Sequence, residues 1–102
     1  MTRVVHVRKA KYDVYIGREW DEFPLSPFGN PFPLDGQMTR QECLLAFAEY
    51  WYAPEQRWLR KLSLGLKGLI LACWCKPRAC HGDIIAGYVD WKNYKEAQMK
   101  LW

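Results

Sequence analysis

The chain has 102 residues, of which 50% are hydrophobic, 25% charged and 16% aromatic, so it has room for one compact domain and is too apolar to be disordered. Six Trp, six Tyr and four Phe supply large side chains for a core. Fifteen Lys and Arg against eleven Asp and Glu leave a net charge of +4, which permits an anionic ligand or a weak nucleic-acid contact but falls short of a clustered basic domain. The longest apolar run, Gly68 to Cys75, is bounded by Lys67 and Lys76 and is far below the roughly 18 to 20 residues of a membrane span. The N-terminal stretch MTRVVHVRKAKYD has no secretory h-region. These features predict a cytoplasmic protein with no membrane partner, and no pattern specifies an oligomer.

Val4, Val5 and Val7 form one β-branched run and Val14, Tyr15 and Ile16 another, which predicts two short strands separated by Lys9 to Asp13. From Gly17 to Gln37 the chain carries Gly17, Pro24, Pro27, Gly29, Pro31, Pro33 and Gly36. That density of breakers excludes helix and leaves a long ordered loop of the kind that is usually functional. Thr39 and Glu42 stand in the relation of a capping box, and Cys43, Leu44, Phe47, Tyr50 and Trp51 recur at helical spacing, so a helix from Arg40 to about Tyr52 follows. Pro54 suits the first turn of a second helix, in which Trp58, Leu59, Leu62 and Leu66 mark an apolar stripe before Gly65 and Gly68 end it.

Leu69 to Cys75 is a continuous apolar run of strand length, the pattern of a central strand buried on both faces. Beyond Lys76-Pro77-Arg78-Ala79, the residues Ile84, Ile85, Tyr88, Val89 and Trp91 define a third helix. It has His81 to Asp83 in its first turn and a polar tail from Lys92. The order is that of a small single α/β domain spanning residues 1–102, with a short, mostly parallel sheet flanked by about three helices. A helical crossover makes the Val14 and Leu69 strands parallel. Their carboxyl ends then share an edge, where the Ile16-Gly17-Arg18 exit should meet the Cys75 to Gly82 exit.

Four strings along this layout, V-Y-I-G-R, S-P-F-G-N-P-F, T-R-Q-E opening a helix, and C-W-C-K-P-R-A-C-H-G-D, resemble domain of unknown function family 4326 of bacteria and phages. The resemblance runs from about Val4 to Val89. It implies a bacterial or phage α/β domain, cytoplasmic in the bacterium or in the host if phage-encoded, and it brings no established activity with it.

The chemistry is therefore read from the residues. Cys80 falls at or near the N-cap of the third helix, where the helix dipole and free amides favour a thiolate, and His81 beside it can supply a proton; these two are the candidate catalytic pair. Gly82 permits close backbone approach, and Asp83 can cap the turn. In the first loop, Gly17 and Arg18 leave a strand with a planar cationic fork suited to phosphate or carboxylate. Ser26, Gly29 and Asn30 add a hydroxyl, backbone amides and a side-chain amide. The bland alternative has Asn30 and the prolines merely holding turns while the loop's phenylalanines plug the sheet edge. Arg40 reads as a helix-surface residue close enough to the rim to serve as a second anion contact, and Arg78 lies in the second rim loop itself. Lys9, Lys11, Arg57, Arg60 and Lys61 read as solvated faces. Trp20 offers a stacking surface beside Arg18, although Trp20, Trp74 and Trp102 serve equally as core.

No cofactor is expected. The alternative is zinc on Cys73, Cys75, Cys80 and His81, but C-x-C-x4-C-H lacks the usual ligand spacing, and buried free cysteines commonly act as small hydrophobes. The leading expectation is a domain that binds a nucleotide or phosphosugar-like anion at the rim, with glycosidic, phosphoryl or acyl chemistry through Cys80 and His81. The competing expectation is a noncatalytic module, zinc-stabilised in one version, that contacts nucleic acid or protein.

Overall fold

The computed structural model describes residues 1–18, 23, 26–32 and 36–100, the side chains of 96–100 excepted. Trp20, Pro24, Pro33 and Trp102 lie outside the described residues. The elements in chain order are β1 (Arg3–His6), β2 (Val14–Tyr15), α1 (Arg40–Tyr52), a 3-10 turn Pro54–Gln56, α2 (Arg57–Ser63), a second 3-10 turn Leu64–Leu66, β3 (Ile70–Cys73) and α3 (His81–Lys100). The strands form one sheet in the order β1-β3-β2. Both outer strands run parallel to β3, with Val4 and Val14 each paired to Leu71. The expected α/β architecture with a parallel sheet is what the chain adopts.

Alternation along the strands sorts two cores. Leu71 and Cys73 point with Val4, Val14 and Ile16 into a cluster built with Phe28, Phe47, Trp51, Leu59, Leu66, Ile85 and Val89. Ala72 and Trp74 face the other way with Val5, Val7, Tyr15 and Phe23. The strand β3 is thus covered on both sides, which is why its sequence is apolar without interruption. Arg8 lies over the rings of Phe23 and Trp74, 5.8 Å and 5.1 Å from their centroids, and shields the second face with a cation–π contact.

The first helix starts where its capping box places it. Thr39 Oγ1 accepts the Glu42 amide at 3.1 Å and Glu42 Oε1 accepts the Thr39 amide at 2.9 Å. Cys43, Phe47 and Trp51 form its buried stripe. At its other end Arg60 donates to the carbonyls of Trp51 and Ala53, satisfying acceptors that a helix terminus leaves open. The N-terminus is held by Thr2, whose hydroxyl donates to Asp90 of α3 at 2.8 Å and accepts the Gly68 amide at 3.1 Å.

Two expectations need correction. In the second helix the inward residues are Leu59, Ser63 and Leu66, whereas Trp58 and Leu62 are 58% and 51% exposed. Leu59, Ser63 and Leu66 of the adjoining 3-10 turn stand at i, i+4 and i+7, so the buried row begins one residue after Trp58 and Leu62, about 100° further round the helix. Trp91, expected on the apolar stripe of the third helix, is 53% exposed, and the polar stretch from Lys92 continues that helix to Lys100. Lys92, Asn93 and Lys95 continue a helix with no breaker after it. Among the described residues, no helix is long and apolar enough to cross a membrane.

Candidate functional site at the carboxyl edge of the sheet

Because all three strands are parallel, their carboxyl ends deliver three chain segments to one edge: His6 onward, Ile16 to Arg18, and Trp74 to Cys80. The N-terminus of α3 abuts the same edge. A Cβ placed on Gly82 would lie 2.7 Å from Ile16 Cδ1 and 2.9 Å from Val4 Cγ1. Glycine at this position is a packing requirement that lets the helix start press against β1 and the β2 exit.

The β2 exit is tightly braced. Tyr15 donates its phenol to the Arg18 carbonyl and accepts Trp74 Nε1–H at 2.9 Å. The Tyr15 ring occupies the space a Cβ on Gly17 would need. Burial, partly offset by the Trp74 hydrogen bond, raises the pKa of that phenol. Arg18 then reaches into the long loop. Its Nε donates to the Asn30 carbonyl at 3.0 Å and its Nη2 to the Phe32 carbonyl.

The G-N-P-F segment closes on itself. Asn30 Oδ1 accepts the Phe32 amide at 2.9 Å, Ser26 Oγ accepts the Phe28 amide at 3.1 Å, and the Ser26 carbonyl accepts the Gly29 amide at 3.1 Å. Asn30 and Ser26 therefore hold turns, while Phe28 is buried in the main core. Arg18 itself remains exposed.

His81 is buried, with Nε2 2.9 Å from the Ile16 carbonyl and the Phe28 backbone also bonded to the ring. Its ring meets Phe47 edge-on at 5.1 Å between centroids. Burial lowers its pKa, against the pull of those carbonyls, and the Arg18 charge lowers it further. The imidazole is accordingly neutral and engaged with main chain of the first loop. Arg18, Asn30 and His81 do gather around the β2 exit, as the shared-edge argument requires.

Cys80 is buried in the same core cluster as Ile16 and Cys73, with a different partner from His81. Its Sγ lies 3.1 Å from Cys73 Sγ, its amide donates to Asp83 Oδ2 at 3.1 Å, and its carbonyl accepts the Asp83 amide at 3.0 Å. That reciprocal pair caps α3. The other Asp83 oxygen pairs with Lys76 Nζ at 2.5 Å. The Cys80 thiol is made more acidic, first by the Cys73 S–H, against burial, with help from the Gly82 amide and Lys76. Cys73 is pulled down by its hydrogen bond with Cys75, but the proton it gives Cys80, together with burial, moves it upward overall. Cys75 is pushed up by its bond to Cys73 and by burial, with Arg40 opposing. Arg40 also donates to the Ala79 carbonyl at 3.1 Å and so braces the loop before α3.

The zinc alternative would need the Cys73 and Cys80 sulfurs further apart than their 3.1 Å. Two thiolates on one tetrahedral zinc stand about 3.8 Å apart, from Zn–S bonds of about 2.3 Å, and His81 is turned to the Ile16 carbonyl rather than to the sulfurs. Among the described residues no group of three His, Cys, Asp or Glu is placed to hold a metal ion.

On the other side of β3 an open recess of about 500 Å³ is lined by Val4, His6, Lys9, Lys76 and Pro77. His6 Nδ1 accepts the Arg8 amide at 3.1 Å, and the His6 ring meets Trp74 edge-on. Reading the sequence missed His6 and Lys9 as site residues because nothing in it placed β1 beside β3. The available signal was the basic run His6, Arg8, Lys9 and Lys11 directly after the first apolar run.

A three-stranded parallel sheet, helices packed on one face and a thiol-bearing, basic carboxyl edge define a small two-layer α/β domain. The family model for the domain of unknown function (DUF4326) matches residues 2–91, and the chain belongs to that family. It is also similar to the uncharacterized 12.4 kDa protein in the nrdA-td intergenic region of Enterobacteria phage T4, 29% identical over 101 residues that cover 88% of this chain and 79% of the relative. No solved structure matches the chain significantly.

Proposed function

We propose that the carboxyl edge binds a phosphorylated small molecule of nucleotide or phosphosugar type. The observation that carries this reading is the recess of about 500 Å³, lined by His6, Lys9 and Lys76 and by no carboxylate. Its volume lies within the range of ligand pockets, about 300 to 1,000 Å³, and it sits where parallel sheets commonly take ligands. Lys76 is already paired with Asp83, so Lys9 and His6 supply the uncompensated donors. Arg18, across the edge, keeps N–H donors beyond the two given to loop carbonyls. Cys80 does not line the recess and is buried against Cys73, so a covalent step through it requires the ligand to reach past Lys76 and Pro77. His81, engaged with Ile16, acts in this reading as a positioning residue.

The test is calorimetric titration of the whole chain with inorganic phosphate, ribose 5-phosphate and adenosine monophosphate at low and high salt. Lys9→Ala should weaken binding by about 1.5 to 3 kcal/mol, the usual worth of a charged hydrogen bond, Lys76→Ala should weaken it less because its charge is already shared with Asp83, and added salt should weaken it further. Lys61→Ala on α2 should leave it unchanged. Absence of binding by all three probes, or affinity indifferent to both rim lysines, would overturn the reading. Cys80→Ser separates binding from turnover: affinity is retained and any thiol-dependent reaction is lost.

A further inference from the structure

The two sulfurs at the foot of the rim loop are placed for chemistry with each other. Cys73 ends β3 and Cys80 immediately precedes α3, and their Sγ atoms are 3.1 Å apart with both thiols free. A disulfide needs about 2.05 Å, so roughly 1 Å of approach converts this contact to a bond. The chain between them, residues 74–79, is a loop whose Pro77, Arg78 and Ala79 are exposed.

We propose that Cys73 and Cys80 are a redox pair, with Cys80 the thiol that attacks a small hydroperoxide and Cys73 the residue that resolves the product into a disulfide joining β3 to α3. In the first step the Cys80 thiolate displaces hydroxide from hydrogen peroxide, breaking the O–O bond and forming a sulfenic acid. In the second, the Cys73 thiol attacks the Cys80 sulfur. The S–S bond forms, the S–O bond breaks, and the hydroxyl leaves with the Cys73 proton as water. The two thiols give up two electrons, and the peroxide is reduced to two molecules of water.

The direction of attack follows from the surroundings. Cys73 Sγ–H donates to Cys80 Sγ at 3.1 Å, and this bond, aided by the Gly82 amide and the Lys76 charge, favours the Cys80 thiolate against burial and the Asp83 carboxylate. Cys75 is the competing thiol, yet it is bonded to Cys73 and Arg40 and holds its proton tightly. Burial decides the oxidant's class, since Cys73 and Cys80 are 1% and 2% exposed. Burial at this depth admits an oxidant as small as hydrogen peroxide in preference to a bulky disulfide. This inference does not depend on the anion reading, because its readout is the sulfur chemistry itself.

The experiment is to treat the reduced, folded chain with stoichiometric hydrogen peroxide, block remaining thiols, and map the products by mass spectrometry. Trypsin cuts after Arg78 and so separates Cys80 from Cys73 and Cys75. The expected product is a Cys73–Cys80 cross-linked peptide pair, with Cys43 of α1 alkylated as the internal control. Cys73→Ser should lose the cross-link and leave a sulfenic acid on Cys80 that dimedone traps. Cys75→Ser should keep the cross-link, and glutathione disulfide should form it more slowly than peroxide does. A folded wild type in which Cys80 stays alkylatable while Cys43 or Cys75 is oxidised would overturn the proposal. So would a cross-link that involves Cys75 and vanishes in Cys75→Ser.

Discussion

The Nε2 of His81 stands 2.9 Å from the main-chain carbonyl of Ile16, so one buried hydrogen bond joins the first turn of α3 to the exit of β2. Three further contacts support that joint. Gly82 permits the close approach, Phe47 packs against the ring and Arg18 ties the loop that follows Ile16.

The joint has a pH signature. Burial lowers the His81 pKa in the folded chain, whereas the unfolded chain titrates near the ordinary value of about 6.5. Below that value the unfolded state binds more protons, so stability is level above about pH 6.5 and falls as pH drops through and below it. Urea midpoints measured from neutral pH down to about pH 5, before ordinary carboxylates begin to protonate, should decline. His81→Gln should be less stable by about 1 to 3 kcal/mol at neutral pH and show a flatter profile. A wild-type profile with no decline would contradict the assignment of a buried neutral imidazole.

Arg18 acts on the first loop through geometry as well as charge. Arg18→Ala removes donors to the Asn30 and Phe32 carbonyls and should cost about 1 kcal/mol, the net worth of exposed hydrogen bonds of this kind. Arg18→Lys keeps the charge but cannot span both carbonyls with a planar fork, so it should recover less than half of the loss. Equal stability of the lysine variant and the wild type in urea titration would show that charge alone matters there.

The two glycines of α3 should respond oppositely to alanine. Gly82→Ala forces a methyl to within 2.7 Å of Ile16 Cδ1 and should destabilise by about 1 to 3 kcal/mol through overpacking. Nothing lies within 4 Å of a Cβ at Gly87, an exposed helical position, so Gly87→Ala should stabilise by about 0.5 to 1 kcal/mol. Thermal melting of the two variants side by side reads both signs.

Chelation tests the metal alternative. With Cys73 and Cys80 at 3.1 Å and His81 turned away, folding is expected to proceed without zinc, and melting before and after treatment with a strong chelator should coincide. One tightly held equivalent of zinc, whose removal unfolds the chain, would show that the four residues rearrange to ligate it.

Local chemistry was readable from the chain alone. The capping box of Thr39 and Glu42 set the start of α1, the unbroken apolar run marked β3 as central, and the breakers around Pro27 and Pro31 excluded helix from the first loop. Each depends on neighbours within a few residues, where propensity and hydrogen bonding act directly. The parallel pairing of β2 with β3 followed from the length of the crossover. Tertiary structure decided the rest. It placed β1 on the far side of β3, which brought His6 and Lys9 to the recess beside Lys76. It turned His81 toward Ile16 and Cys80 toward Cys73, although the two are adjacent in sequence. Those orientations depend on which surfaces meet when strand order and helix packing are settled together, and that information is spread over the whole chain.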